Sequence, residues 1–114
     1  MKDLLTGDNK TKFEKWYQID YLKIPDDYIT TLEMELEDFY EQRFEMQIGV
    51  LLAYYDSLGI IIILRYDRLL FRYKYTIKHV NKEFIFSRGK HEKSRNEAYK
   101  EAFLKVNDIV NKTN

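Results

Sequence analysis

The sequence predicts a single α+β domain over residues 1–114, in the order ααα-βββ-α: three N-terminal helices, a three-stranded antiparallel meander and a C-terminal helix. Three observations lead there. Apolar residues recur at three- and four-residue steps as far as residue 58, at two-residue steps after Ile60, and at helical steps again after Ser94. A chain of 114 residues suits one hydrophobic core and is short for two. A content of 45% hydrophobic and 16% aromatic residues can fill that core. It excludes a disordered chain, which lacks the apolar surface to offset the entropy of ordering.

The elements follow in order. Thr11 and Glu14 form an S/T-x-x-E capping box, so the first helix is expected from Thr11, with Phe13, Trp16, Tyr17 and Tyr21 as its apolar stripe. Pro25 suits the first position of a second helix, where Asp26 and Asp27 complement the positive end of the dipole. Ile29, Leu32, Leu36, Phe39 and Tyr40 make its stripe, and Glu33, Glu35, Glu37, Asp38 and Glu41 fall on its other faces. A third period, Ile48, Leu51, Leu52 and Tyr55, stops before Gly59. No breaker separates 41 from 47, so continuity of the second and third helices stays open, with a bend expected near Arg43–Glu45.

From Ile60 to Tyr66 the chain reads as a buried strand, and Asp67-Arg68 as a tight turn. Leu69, Phe71, Tyr73, Tyr75 and Ile77 then alternate with Arg72, Lys74, Thr76 and Lys78, which predicts a sheet with one covered face and one wet, basic face. Asn81-Lys82 is expected to turn into a short strand, Glu83–Ser87. Ser94 and Glu97 form a second capping box, opening a helix to about Lys112 that buries Ala98, Ala102, Phe103, Val106, Ile109 and Val110.

Charge is the most informative quantity. The formal net charge is +0, yet residues 1–58 carry thirteen acids against six bases and residues 59–114 carry six acids against thirteen bases. Halves at −7 and +7 point to charged partners, or to a head-to-tail homo-oligomer in which the halves meet. A plain segregation of solvated charges is the alternative.

Catalytic signatures are missing. The chain has no cysteine, which excludes disulfides, a thiol nucleophile and thiolate metal sites. His79 and His91 stand without clustered carboxylates, Ser94 is accounted for as a cap, and no phosphate-binding glycine loop is present. No enzyme activity, metal or cofactor is therefore expected. Ile48 to Leu64 carries a single charge, Asp56, but Gly59 interrupts it and Ile60–Ile63 favour a strand, so neither a membrane span nor a membrane partner is expected. Lys2-Asp3 followed by two leucines lacks the apolar run of an export signal, and a cytoplasmic location follows.

Two binding surfaces are candidates. The acidic one comprises Glu33, Glu37, Asp38 and Glu41, whose carboxylates could imitate phosphate spacing and occupy a nucleic-acid channel of another protein. The basic one comprises Arg72, Lys74 and Lys78, extended by Arg88, Lys90 and Arg95, and could hold RNA or DNA phosphates. The order α (46–58), βββ (60–87), α (94–112) resembles a double-stranded-RNA-binding domain, which implies RNA phosphates gripped across the groove. That family's lysine cluster is absent: Ser94-Arg95-Asn96-Glu97 has one base and one acid.

Leu5-Thr6-Gly7, Phe13-Glu14-Lys15-Trp16, Met46-Gln47-Ile48-Gly49-Val50 and Asp56-Ser57-Leu58-Gly59 resemble a group of small phage and prophage accessory proteins. Ser94-Arg95-Asn96-Glu97-Ala98, Asn107 and Asn111 are similar to theirs too. Phe, Tyr, Met, Ile, Asn and Lys supply fifty residues against fourteen for Gly, Ala, Arg and Pro, a bias of AT-rich genomes that agrees with such an origin. The resemblance carries no catalytic residue. It implies a protein of the bacterial host cytoplasm that binds a host protein or nucleoprotein complex, including host-defence inhibitors of the anti-CRISPR kind.

Overall fold

The computed structural model describes residues 3–80, 85–87 and 94–112. Among the described residues, four helices and one antiparallel sheet make an α+β fold: α1 (Gly7–Trp16), α2 (Ile29–Glu41), α3 (Phe44–Ser57), β1 (Ile60–Asp67), β2 (Arg72–His79), β3 (Ile85–Ser87) and α4 (Arg95–Lys112), with a π-helical turn, Tyr17–Leu22, continuing α1. The sheet order is β1-β2-β3. In the β1–β2 register Ile62 faces Ile77 and Leu64 faces Tyr75. Side chains alternate along a strand, so Ile60, Ile62, Tyr75 and Ile77 turn to one face and are buried. Helices α3 and α4 pack against the sheet.

Helix α4 supplies the floor of the core. Ala98, Ala102, Phe103 and Val106 are fully enclosed, as the helical period predicted. Its cap is the expected one: Ser94 Oγ accepts the Glu97 backbone N–H at 3.1 Å. Ser94→Ala should cost about 1 kcal/mol in thermal or denaturant unfolding.

The first helix begins four residues before Thr11, at Gly7, because a tertiary contact and not the predicted box sets its start. Thr6 N–H donates to Asn107 Oδ1 at 3.1 Å, Asn9 N–H donates to Asn111 Oδ1 at 2.8 Å, and Asn111 Nδ2 donates to the Thr6 carbonyl at 3.0 Å. The orphan N–H groups of the helix start are thus held by α4. Gly7 has a φ of +57°, and a Cβ there would lie 3.2 Å from Asn111 Oδ1, so the position demands glycine.

Asn9 stands at the centre, fully buried. Its Nδ2 donates to Tyr55 Oη at 2.9 Å and to Asn107 Oδ1 at 2.8 Å, and its Oδ1 accepts the Tyr54 hydroxyl at 2.7 Å. Around this network lies an aromatic core in which Phe13 touches Tyr17, Phe39 and Tyr54 at centroid distances of 5.5, 5.1 and 5.2 Å. Burial pushes the Tyr54 and Tyr55 hydroxyls well above their ordinary pKa, the Asn9 bond acting the opposite way at Tyr55. The folded state therefore keeps them neutral to higher pH than the unfolded chain does. The stability they contribute is therefore full below the ordinary tyrosine pKa, near 10, and falls as pH rises above it. Alkaline titration should show tyrosinate absorbance appearing together with unfolding, and Tyr55→Phe should weaken that coupling.

Two expectations are corrected and one open point is settled. Tyr21 leaves the apolar stripe and is exposed, because the wide π turn changes the angular step; it still stacks on Trp16 at 5.4 Å. Pro25 does not open the second helix. The Tyr28 N–H closes a turn onto the Pro25 carbonyl at 3.0 Å, α2 starts at Ile29, and Ile29 is exposed. Helices α2 and α3 are separate, with a break that overlaps the expected bend: Gln42 and Arg43 are extended, and Gln47 Nε2 donates to the Phe39 carbonyl at 2.9 Å.

The Asp67-Arg68 tight turn is also corrected. Asp67 pairs with Arg72, leaving a four-residue connection, 68–71. Asp67 Oδ1 accepts the Leu69 and Leu70 N–H groups at 2.9 and 3.3 Å, and Phe71 takes a φ of +52°. Leu69 and Phe71, expected in the strand, are consequently loop residues. The Asn81-Lys82 turn and the start of the third strand at Glu83 lie outside the described residues, as does His91. Among the described residues no helix is long and apolar enough to cross a membrane.

Candidate functional site

Helix α2 places all four acidic candidates on one side. At 100° per residue, Leu32, Leu36 and Phe39 point inward while Glu33, Glu37, Asp38 and Glu41 point outward around Met34. Phe39 is the only buried side chain of α2; the four acids and Met34 are exposed. No lysine or arginine occurs on this helix.

The arrangement is unfavourable for the helix itself. Glu33–Glu37 and Glu37–Glu41 are like-charged pairs at i,i+4, each destabilising by a few tenths of a kcal/mol. Asp38 and Glu41 lie in the last turn, where the free carbonyls already carry partial negative charge, and no base offsets them. A face shaped only by helix stability would carry bases there. The field reaches the core: burial first, then Glu35, Tyr21 and Asp38, raise the pKa of the Tyr17 hydroxyl.

The basic candidates are less gathered. Arg72, Lys74 and Lys78 share the outer face of β2, opposite to Tyr75 and Ile77; Lys78 is exposed and the other two are half-buried. Arg65 stands directly opposite Lys74 in the register, a like-charged cross-strand pair, while Asp67 faces Arg72. Arg95 is exposed at the start of α4, with its guanidinium 5.4 Å from the Tyr99 ring centre. Arg88 and Lys90 lie outside the described residues.

A groove of about 910 Å³ opens at the α2–α3 junction, floored by Leu4, Leu5, Phe39, Phe44, Leu51 and Leu104. Lys10 and Lys100 on its rim lie over the Tyr40 and Phe44 rings, at 5.2 and 5.1 Å from the ring centres. Tyr40 donates to Glu14 Oε2 at 2.7 Å, and burial together with that carboxylate raises its pKa. His79 is half-buried at the end of β2, paired with Ile60. Among the described residues no group of three metal-ligating side chains comes together.

Sequence reading missed Asn9, the burial of Asn107 and the hairpin tip; of these, only the Asn107/Asn111 spacing on one side of an apolar helix was a usable signal. No family model, curated protein or solved structure matches the chain.

Proposed function

We propose that this protein is a non-catalytic binder of a host macromolecule, a phage accessory factor that docks the acidic face of α2 onto a basic surface of a host protein or nucleoprotein complex. One observation carries the reading: Glu33, Glu37, Asp38 and Glu41 are exposed together on a helix without a single base, in an arrangement that costs the helix stability. Carboxylates in such a row present negative charge to a site that ordinarily takes phosphates, and inhibition of a host-defence nuclease of the CRISPR type is the form of activity this fits. Electrostatic complementarity of this kind gives fast, salt-sensitive association. The test is competition. A captured partner should be displaced by heparin or duplex nucleic acid and released as salt rises, whereas a partner indifferent to both contradicts the reading.

The second reading is nucleic-acid binding by the outer sheet face. Its support is the Arg65–Lys74 pair beside Arg72 and Lys78, four bases whose mutual repulsion an anion would relieve. Glutamate at Arg72, Lys74 and Lys78 should abolish such binding and leave the α2 interaction untouched.

A further inference from the structure

The β1–β2 hairpin ends in three consecutive exposed apolar residues, Leu69 at 90%, Leu70 at 54% and Phe71 at 73% of full exposure. Runs of this kind are avoided on protein surfaces unless they bind something. Tyr66 and Tyr73 face each other at the base of the tip, ring centres 4.9 Å apart. Arg65 on β1, Arg68 in the connection, and Arg72 and Lys74 on β2 surround it, against one acid, Asp67.

The backbone of the tip is unusually prepared. Asp67 Oδ1 already accepts the Leu69 and Leu70 N–H groups, so these donors need no water. Phe71 is held at a φ of +52°, a conformation disfavoured for an aromatic residue, and the result is an outward-facing ring.

We infer that this hairpin is an insertion tip for an anionic phospholipid surface. Leu69, Leu70 and Phe71 enter the acyl boundary, Tyr66 and Tyr73 lie at headgroup depth, and Arg65, Arg68, Arg72 and Lys74 meet lipid phosphates. The chemistry favours this occupant over the others. Nucleic-acid phosphates would satisfy the bases and leave the apolar tip in water, and a protein would need a pocket shaped to three convex side chains. A bilayer interface takes both features without shape complementarity. The contact is peripheral, and it is independent of the acidic face of α2.

Flotation with vesicles of phosphatidylglycerol and phosphatidylcholine, against phosphatidylcholine alone, tests it. The intact protein should float with the anionic vesicles and stay behind with the zwitterionic ones. The variant Leu69→Ser/Leu70→Ser/Phe71→Asn should lose about a hundredfold in partitioning with its melting temperature unchanged, since all three side chains are exposed. Asparagine accepts the positive φ at position 71. Arg65→Gln/Arg68→Gln should lose about fivefold per base. No binding to anionic vesicles overturns the proposal. So does binding that survives loss of the tip, which would leave the basic face acting alone on phosphates, as a nucleic-acid surface would.

Discussion

Asn9→Ala is expected to destabilise the fold by about 3 kcal/mol or more, and to lower the melting temperature by roughly 15 °C. The substitution removes no large apolar group. What it removes is the shared partner of Tyr54 and Asn107, both buried, and the donor to Tyr55 Oη. Tyr55 Oη is left without its donor, at about 1–3 kcal/mol, while Tyr54 and Asn107 each lose a bond worth about 1 kcal/mol and keep the Asn9 carbonyl and the Thr6 N–H. The same atoms tie α1 to α3 and α4, so the N-terminal segment should lose hydrogen-exchange protection first. A loss below about 1 kcal/mol, no larger than that of the Ser94→Ala cap variant, would mean that the cluster is loosely held.

Reversing Glu33, Glu37, Asp38 and Glu41 together to lysine is expected to weaken partner binding by on the order of a hundredfold, with the fold intact. All four side chains are exposed, and α2 is anchored through Phe39 on its opposite side. The single change Glu41→Lys separates function from stability. It places a base in the last turn and forms a favourable Glu37–Lys pair, so the helix should gain about 0.5–1 kcal/mol while the partner is bound less well. Most substitutions destabilise. A stabilising change that impairs binding marks a surface kept for interaction, and denaturant midpoints beside binding curves would show it. Loss of stability in Glu41→Lys would contradict the electrostatic account of α2.

Much of the fold was legible because apolar periods dominate it. The stripe of α4 and the alternation Tyr73, Tyr75, Ile77 follow from one repeating requirement, burial on one side, and the stop at Gly59 follows from its positive φ of 78°. What escaped depends on single tertiary contacts. Hydropathy marks Asn9 and Asn107 as surface residues, and only the fold reveals that they satisfy one another and two tyrosines. The strand alternation was read three residues too early, from Leu69 through Phe71, because the Asp67 carboxylate captures two backbone donors and the ladder ends at Arg72. The Thr11–Glu14 box lost to the Thr6–Asn107 bond by the same logic.

The acidic face was legible as a set of residues on one helix, since its spacing alone places Glu33, Glu37 and Glu41 in a row. Its isolation from bases became visible only with α2 delimited. The segments on which the expected phage origin rests fall on structural features: Leu5-Thr6-Gly7 with Asn107 and Asn111 on the polar network, Asp56 to Gly59 on a helix end, and Ser94 to Ala98 on a helix cap. They describe how the fold is fastened, and the face proposed to bind is a different one.

The most direct measurement is a paired pull-down from bacterial lysate, with the intact protein and the α2 reversal variant as baits, each with and without nuclease. The acidic-face account predicts a protein partner that survives nuclease on the intact bait and is absent from the reversed one. A partner held equally by both baits, or one that disappears with nuclease, would contradict it.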